Sequence, residues 1–442
     1  MKTARHGAWL VVGLFLFSCS TVPEVAPRKP WFRTKSDLFR KAYILEGRTL
    51  EQVDPAGLLL YCVHEPLSDW NNYLKSHDMA DAPAWHGLLM AALAFEEAVS
   101  GKDRDADIHL LALGLKTFYS VTGVNGLLGR SMIADYKGPR RTWMETRRER
   151  PTKYWMRGPT GAWWRNGLAK GHLSMACFGC AIPLVLHQKG DIALEEETRK
   201  TLLEVLLPAV RRLVQGDFRI LDWNGEATEY GNLQPQTANG FNMLLTLSML
   251  RSAAAYDVPL QLVYEEKIRA WAPRMGWSLK VLGRSIEKLG HSRFDKPSYS
   301  DMQAAALAAC VLLMQEQRRE YARHIRRGMT GLWTFMQYER NAPFTLCYTA
   351  LIRPEAGQER MAEIYQDLRD FPVEKRPRRT RYVDTHRIQP LANRPISSHY
   401  WKSSPYRRIH GKVGERKAIV YSAQDYLLAY WMGRYFDLIP ER

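Results

Sequence analysis

Apolar residues recur at three- and four-residue steps along most of this chain, a pattern that predicts one helix after another. The run 82–100 is apolar at helical spacing and follows Asp81-Ala82-Pro83, a cap with an early proline. A second run, 107–122, comes after the turn Gly101-Lys102-Asp103 and stops at Gly123, so the two read as a helical hairpin. The plan repeats at 161–188 and 195–215 around Lys189-Gly190-Asp191. It repeats again at 237–256 with 260–282, at 299–317 with 319–337, and in a shorter pair, 344–351 with 358–370. Segments 55–75, interrupted at Pro66, and 422–436 supply terminal helices, and no alternating strand-type segment competes with them.

Each pair spans about 40 residues, and successive helical pairs of that size stack or close into a ring. The pairs share little sequence, whereas a solenoid needs self-similar repeats. Long loops fall at 124–160, 216–234 and 371–421, and loops of that length in a compact domain usually carry function or are disordered. The expected fold is therefore all-α: one domain over 31–442, closed as an (α/α) toroid of about six hairpins.

The N-terminus departs from this pattern. Lys2 and Arg5 precede an apolar run, 8–17, that is too short to span a bilayer and reads as a signal peptide over 1–18. It ends at Leu16-Phe17-Ser18-Cys19, which resembles the lipobox of bacterial lipoproteins, with Phe17 bulkier than the usual spacer. The resemblance implies lipidation at Cys19 and an anchor in a membrane of the cell envelope. Ser20, where an aspartate would retain the chain at the inner membrane, points to the outer membrane. Residues 19–30 form a proline-containing tether.

Composition adds charge. The net charge is +17; removal of residues 1–18 takes away Lys2 and Arg5 and no acid, leaving +15. Such a surface favours anionic partners: lipid headgroups, acidic glycans or nucleic acid. No zinc-finger spacing, ribonucleoprotein-type motif or helix-turn-helix signal accompanies it, which argues against nucleic acid. Beyond Cys19, five cysteines remain, and an odd number does not suit a full disulfide framework. Cys177 and Cys180 have C-x-x-C spacing, but in an apolar, mid-helix run where buried small hydrophobes fit better than a redox or metal pair. No H-E-x-x-H, calcium loop, phosphate-binding loop or nucleophile elbow is present, so neither a metal nor a cofactor is expected.

The stretch Asp222-Trp223-Asn224-Gly225-Glu226-Ala227-Thr228-Glu229-Tyr230-Gly231 resembles the acidic, glycine-containing loop of six-hairpin glycosidase-like proteins. Asn224 stands where a second acid often occurs, and Tyr230 where tryptophan is usual. Val124-Asn125-Gly126-Leu127-Leu128-Gly129-Arg130 and Trp401-Lys402-Ser403-Ser404-Pro405-Tyr406 add to the likeness. It implies a helical toroid with a central cleft, in a superfamily of glycoside hydrolases, polysaccharide lyases and members of unknown activity. Fold does not fix function, so the residues must carry the chemistry.

Glycoside hydrolysis needs two carboxyl groups, and Asp222 with Glu226 is the expected acid/base pair, beside Trp223 and Tyr230 as sugar-binding rings. The bland alternative is that these acids cap a helix. His172 is the expected general base of a lyase acting on an acidic glycan. In that version Tyr154, Tyr230 or Tyr406 donates a proton, and Arg130, Arg157 or Arg165 neutralises a uronate. Trp85 and His86 line the cleft or simply pack. The competing expectation is a non-catalytic envelope lipoprotein that binds a glycan or peptide or serves assembly.

Overall fold

A computed structural model describes residues 36–59, 62–64, 81–133, 154–235, 240–289, 299–376, 378–385, 387–415 and 419–440. Within them the chain is all-α, a single domain of packed helices with a few short strands in the loops. In chain order the helices are α1 (Ser36–Leu50), α2 (Ala82–Ser100), α3 (Asp105–Ser120), α4 (Lys170–Lys189), α5 (Glu196–Gln215) and α6 (Gly240–Ala254). They continue as α7 (Val258–Leu289), α8 (Tyr299–Gln315), α9 (Arg319–Met336), α10 (Ala342–Leu351), α11 (Pro354–Asp370) and α12 (Gln424–Tyr435).

Even- and odd-numbered helices differ in kind. Helices α2, α4, α6, α8, α10 and α12 are apolar on all sides along most of their length, and most of their residues are buried. A helix apolar all round belongs in a core. The odd helices carry one apolar face and one polar face, as α5 and α9 show most clearly. Packing follows the same division. α2 touches α4, α4 touches α6, and contacts continue through α8, α10 and α12 back to α2, a closed cycle with the odd helices packed outside it. α4 also touches α8 across the cycle.

Small residues permit this closeness. A β-carbon on Gly179 of α4 would lie 2.1 Å from Cα of Gly87 in α2, so the two backbones touch there. Helix ends follow local chemistry: Pro83 starts α2, and Gly101 ends it at φ +69°, a left-handed value, with its N–H donating to Glu97 O at 2.8 Å. Outside, Arg104 donates to Asp107 and to both oxygens of Glu96 and pairs with Glu46, tying α1 to the α2–α3 turn.

The alternation of direction sorts the loops. Connections after even helices are short: 101–104, 190–195, 255–257, 316–318 and 352–353. Those before most even helices are long and gather at the other end. There β2 (Ser131–Ile133), β4 (Trp163–Arg165) and β3 (Trp155–Arg157) form a three-stranded antiparallel sheet. β5 (Arg219–Leu221) pairs with β6 (Ala227–Asn232), and β7 (Arg378–Asp384) pairs with β8 (Arg407–Glu415). β1 (Cys62–His64) pairs with β9 (Ile419–Tyr421).

Several boundaries differ from the sequence expectation. α1 was not expected, and the helix expected over 55–75 is turn and strand where it is described. The run 161–169 is strand and extended chain rather than the start of α4, because Gly161 and Gly167 adopt left-handed φ values of +81° and +76°. Cys177 and Cys180 are buried thiols, and burial pushes Cys177 up to about 12. No described helix is long and apolar enough to cross a membrane, and Cys19 lies outside the described residues.

Gly179→Ala is expected to force α2 and α4 apart and cost roughly 1–3 kcal/mol or more. Urea denaturation checks this; an unchanged midpoint would contradict the backbone contact.

Candidate functional site

The first turns of the even helices meet at one end of the molecule, and hydrogen bonds tie them to one another or to residues 400–401 of the long connection before α12. Lys170 Nζ of α4 donates to Asn242 Oδ1 of α6 at 3.1 Å. Asn341, which caps α10, donates from Nδ2 to Trp401 O at 2.9 Å. Asp425 in the first turn of α12 accepts from Tyr400 N at 2.8 Å. Each helix start carries partial positive charge, so this end suits anions.

A cluster of charged side chains lies there. Asp81, immediately before α2, meets His172 in the first turn of α4, with Nε2 to Oδ1 at 2.8 Å. Lys402 Nζ pairs with the other oxygen, Oδ2. Arg130 Nη2, just before β2, lies 4.0 Å from Oδ1. Burial alone would raise the Asp81 carboxyl, but the hydrogen bonds and charges of His172 and Lys402 outweigh it and hold the group well below the usual carboxylate range. Asp81 is therefore an ionised centre with two permanent cations and an imidazole around it.

A second layer supports it. Lys402 Nζ sits 4.7 Å above the Trp85 ring, and the other face of Trp85 stacks on His399 at 4.7 Å and 9°. Gln303 of α8 approaches His399, Nε2 to Nε2, at 2.5 Å. Burial, with Lys375 and Lys402 nearby, pushes His399 well below its ordinary value, so its ring is neutral and accepts at Nε2 from the amide. His172 Nδ1 and His399 Nδ1 are buried with no hydrogen-bond partner among the described residues. Buried polar atoms of this kind call for a reason.

The expected carboxylate pair sits differently. Asp222 and Glu226 flank the tight turn between β5 and β6, where Gly225 has φ +80° and Asp222 N donates to Glu226 O at 2.8 Å. Asp222 Oδ1 accepts from Trp223 N at 3.0 Å, and Oδ2 from Gly167 N at 3.3 Å. Burial raises its carboxyl. Glu226 is exposed, and its Oε2 accepts from Asn224 Nδ2 at 2.8 Å. These bonds are those of a turn-stabilising pair. The hairpin itself is fixed to the segment before α4, since Thr228 Oγ1 donates to Leu168 O at 2.8 Å.

Three residues expected at the cleft, His86, Tyr406 and Trp85, are corrected. His86 is fully buried: Leu59 N donates to its Nε2 at 2.6 Å, Nδ1 faces Ala82 O at 2.8 Å, and burial lowers it to about 4. It holds the 54–59 turn and has no face left for a ligand. Tyr406 is also buried, and its hydroxyl donates to Glu339 Oε1 at 2.8 Å. Burial followed by that carboxylate raises it. Trp85 is buried under Lys402 and His399, so it supports the cluster instead of lining an open cleft.

Tyr230 and Trp223 are exposed, at 59% and 50%. Tyr230 bonds to Glu229 and lies within electrostatic reach of Tyr154 and Arg130, while Arg165 stacks on Tyr154 at 5.7 Å. Aromatic rings and arginines thus border the Asp81 cluster on the hairpin side. Asp81 was read from sequence as one acid at a helix start, and Lys402 only as part of a resembling stretch. Neither signalled their meeting across 321 positions of chain. Among the described residues no group of three or more His, Cys, Asp or Glu side chains is placed to hold a metal. The two described cavities, about 390 and 270 Å³, lie at the opposite end, by Arg434 and by Arg251.

No family model matches this chain, and neither a curated protein nor a solved structure matches it.

Asp81→Asn removes the charge that balances His172, Lys402 and Arg130, and is expected to cost roughly 1–3 kcal/mol. Because the folded carboxyl is held low, its contribution is complete above the unfolded value of about 3.9 and is lost only as pH falls further. Stability curves of the two proteins should therefore run parallel from neutral pH to about pH 4 and converge in stronger acid. Convergence already near neutrality would contradict the depressed carboxyl.

Proposed function

We propose that this protein is a cell-envelope lipoprotein, anchored through Cys19 in the outer membrane, that acts on an acidic glycan at the Asp81–His172 cluster. The observation that carries the reading is the Asp81–His172 carboxylate–imidazole pair, 2.8 Å apart, flanked by Lys402 and Arg130 where helix N-termini converge. The cycle of even helices supports an (α/α) toroid, whose loop-bearing end would be the cleft.

Elimination fits this arrangement better than hydrolysis. A uronate's C5 proton becomes acidic when its carboxylate charge is offset, and Arg130 and Lys402 are the cations in place for that. His172 Nε2–H donates to Asp81, which orients the ring and stabilises the imidazolium; Nδ1 is buried without substrate, so the bound sugar must uncover it before it takes the C5 proton. The C4–O bond then breaks, a C4–C5 double bond forms, and the leaving oxygen gains a proton from Tyr230 or from water. Glu226, by contrast, is solvent-exposed and engaged by Asn224, a poor setting for the second carboxyl of a hydrolase.

Incubation with a panel of acidic and neutral polysaccharides, following ultraviolet absorbance and reducing ends together, tests the reading. Absorbance of an unsaturated uronate is expected, with kcat lowered about 10²–10⁴-fold in His172→Ala and KM raised in Arg130→Ala. Reducing ends without absorbance, lost in Asp222→Asn but kept in His172→Ala, would replace it with hydrolysis. Glycan binding with no product would leave a non-catalytic lipoprotein.

A further inference from the structure

The outer layer carries a second basic feature, away from the Asp81 cluster. α7 and α9 pack with their backbones in contact: a β-carbon on Gly276 would meet His324 O at 2.6 Å, and one on Gly331 would meet Lys280 Cα at 2.3 Å. Residue numbers rise together along that line, so the helices run parallel and their outward faces lie side by side.

Charge is one-sided over the middle of this double face, with the exposed acids Glu266 and Glu320 at its edge. Segments 267–284 and 321–336 hold eight lysines and arginines and no aspartate or glutamate. Arg269, Arg274, Arg323 and Arg327 are exposed, and no carboxylate pairs with them among the described residues. Apolar groups sit among these cations. Pro273, Trp277 and Val281 follow at four-residue steps on the outward side of α7, all exposed, with Trp277 at 54%.

That combination selects among anionic partners. Sugars and nucleic acids would engage the arginines, but Val281 offers nothing to a hydroxyl or a phosphate. The headgroup region of a bilayer takes both: guanidinium groups meet lipid phosphates, and an indole settles at the boundary between headgroups and acyl chains. We propose that the outward face of α7 and α9, centred on Trp277 with Arg274, Arg323 and Arg327 around it, docks on the anionic headgroups of a lipid bilayer. A face of this kind would hold the domain against a membrane and fix its orientation, which a flexible tether alone cannot do. The inference is independent of the glycan reading.

Vesicle sedimentation tests it with the chain from residue 19 onward carrying Cys19→Ser, so that no acyl group contributes. At low salt this protein is expected to bind phosphatidylglycerol-rich vesicles about tenfold or more tightly than pure phosphatidylcholine vesicles. Trp277→Ser and the double variant Arg323→Glu/Arg327→Glu should each lose most of that difference while keeping the wild-type circular dichroism spectrum. Equal binding to the two vesicle types, or unchanged binding by both variants, overturns the proposal. So does tight binding to heparin that survives Trp277→Ser in a protein that ignores the vesicles, which would assign the face to a soluble polyanion.

Discussion

A fully buried ion pair holds the loop-bearing end of this molecule together. Lys375 Nζ donates to both oxygens of Asp425, at 3.0 and 2.9 Å, and to the carbonyls of Ser398 and Ser422 at 2.9 and 2.8 Å. Asp425 also accepts from Tyr400 N, and its own carbonyl accepts from Trp401 Nε1. One ammonium and one carboxylate thereby fasten three points of the long 371–423 connection to the start of α12. A buried pair of this sort adds little net stability relative to an apolar pair, but loss of either partner leaves an uncompensated charge. Its consequence here is positional: the same few residues carry His399 and Lys402, which reach Trp85 and Asp81.

The helical scaffold gives that position its chemical meaning. Even helices pack in a cycle through small residues such as Gly87 and Gly179, so their first turns converge. Convergent N-termini, Arg130 and Lys402 make the end electropositive, and Asp81 is a carboxylate set between these cations and an imidazole. The short connections and both described cavities lie at the other end. The long loops with the charged cluster and the short connections thus occupy opposite ends of the same helices.

Much of the scaffold was legible in the sequence because helical periodicity and turn chemistry are local. The run 82–100 was read to the residue, since Pro83 starts it and Gly101 stops it. α1 was missed because its apolar face is narrow and adjoins the proline-containing tether. Short strands such as β2 and β4 escaped because three residues are too few to show alternation. The candidate site was legible only in part. His172 and Arg130 were expected and are brought together, whereas Asp222 and Glu226 looked chemical in sequence and are occupied by a turn. Contacts such as Lys402 to Asp81 depend on closure of the whole cycle, and no local pattern encodes them.

In the proposed function, Asp81 and His172 organise an acidic-glycan site at this end of the helices. The most direct test is a crystal structure of the protein soaked with a short oligouronide. A uronate carboxylate is expected within hydrogen-bond reach of Arg130 or Lys402, with His172 Nδ1 uncovered and facing C5 of the same ring. A sugar bound in the cavity beside Arg434, or on the hairpin around Trp223 with the Asp81 cluster untouched, would contradict it.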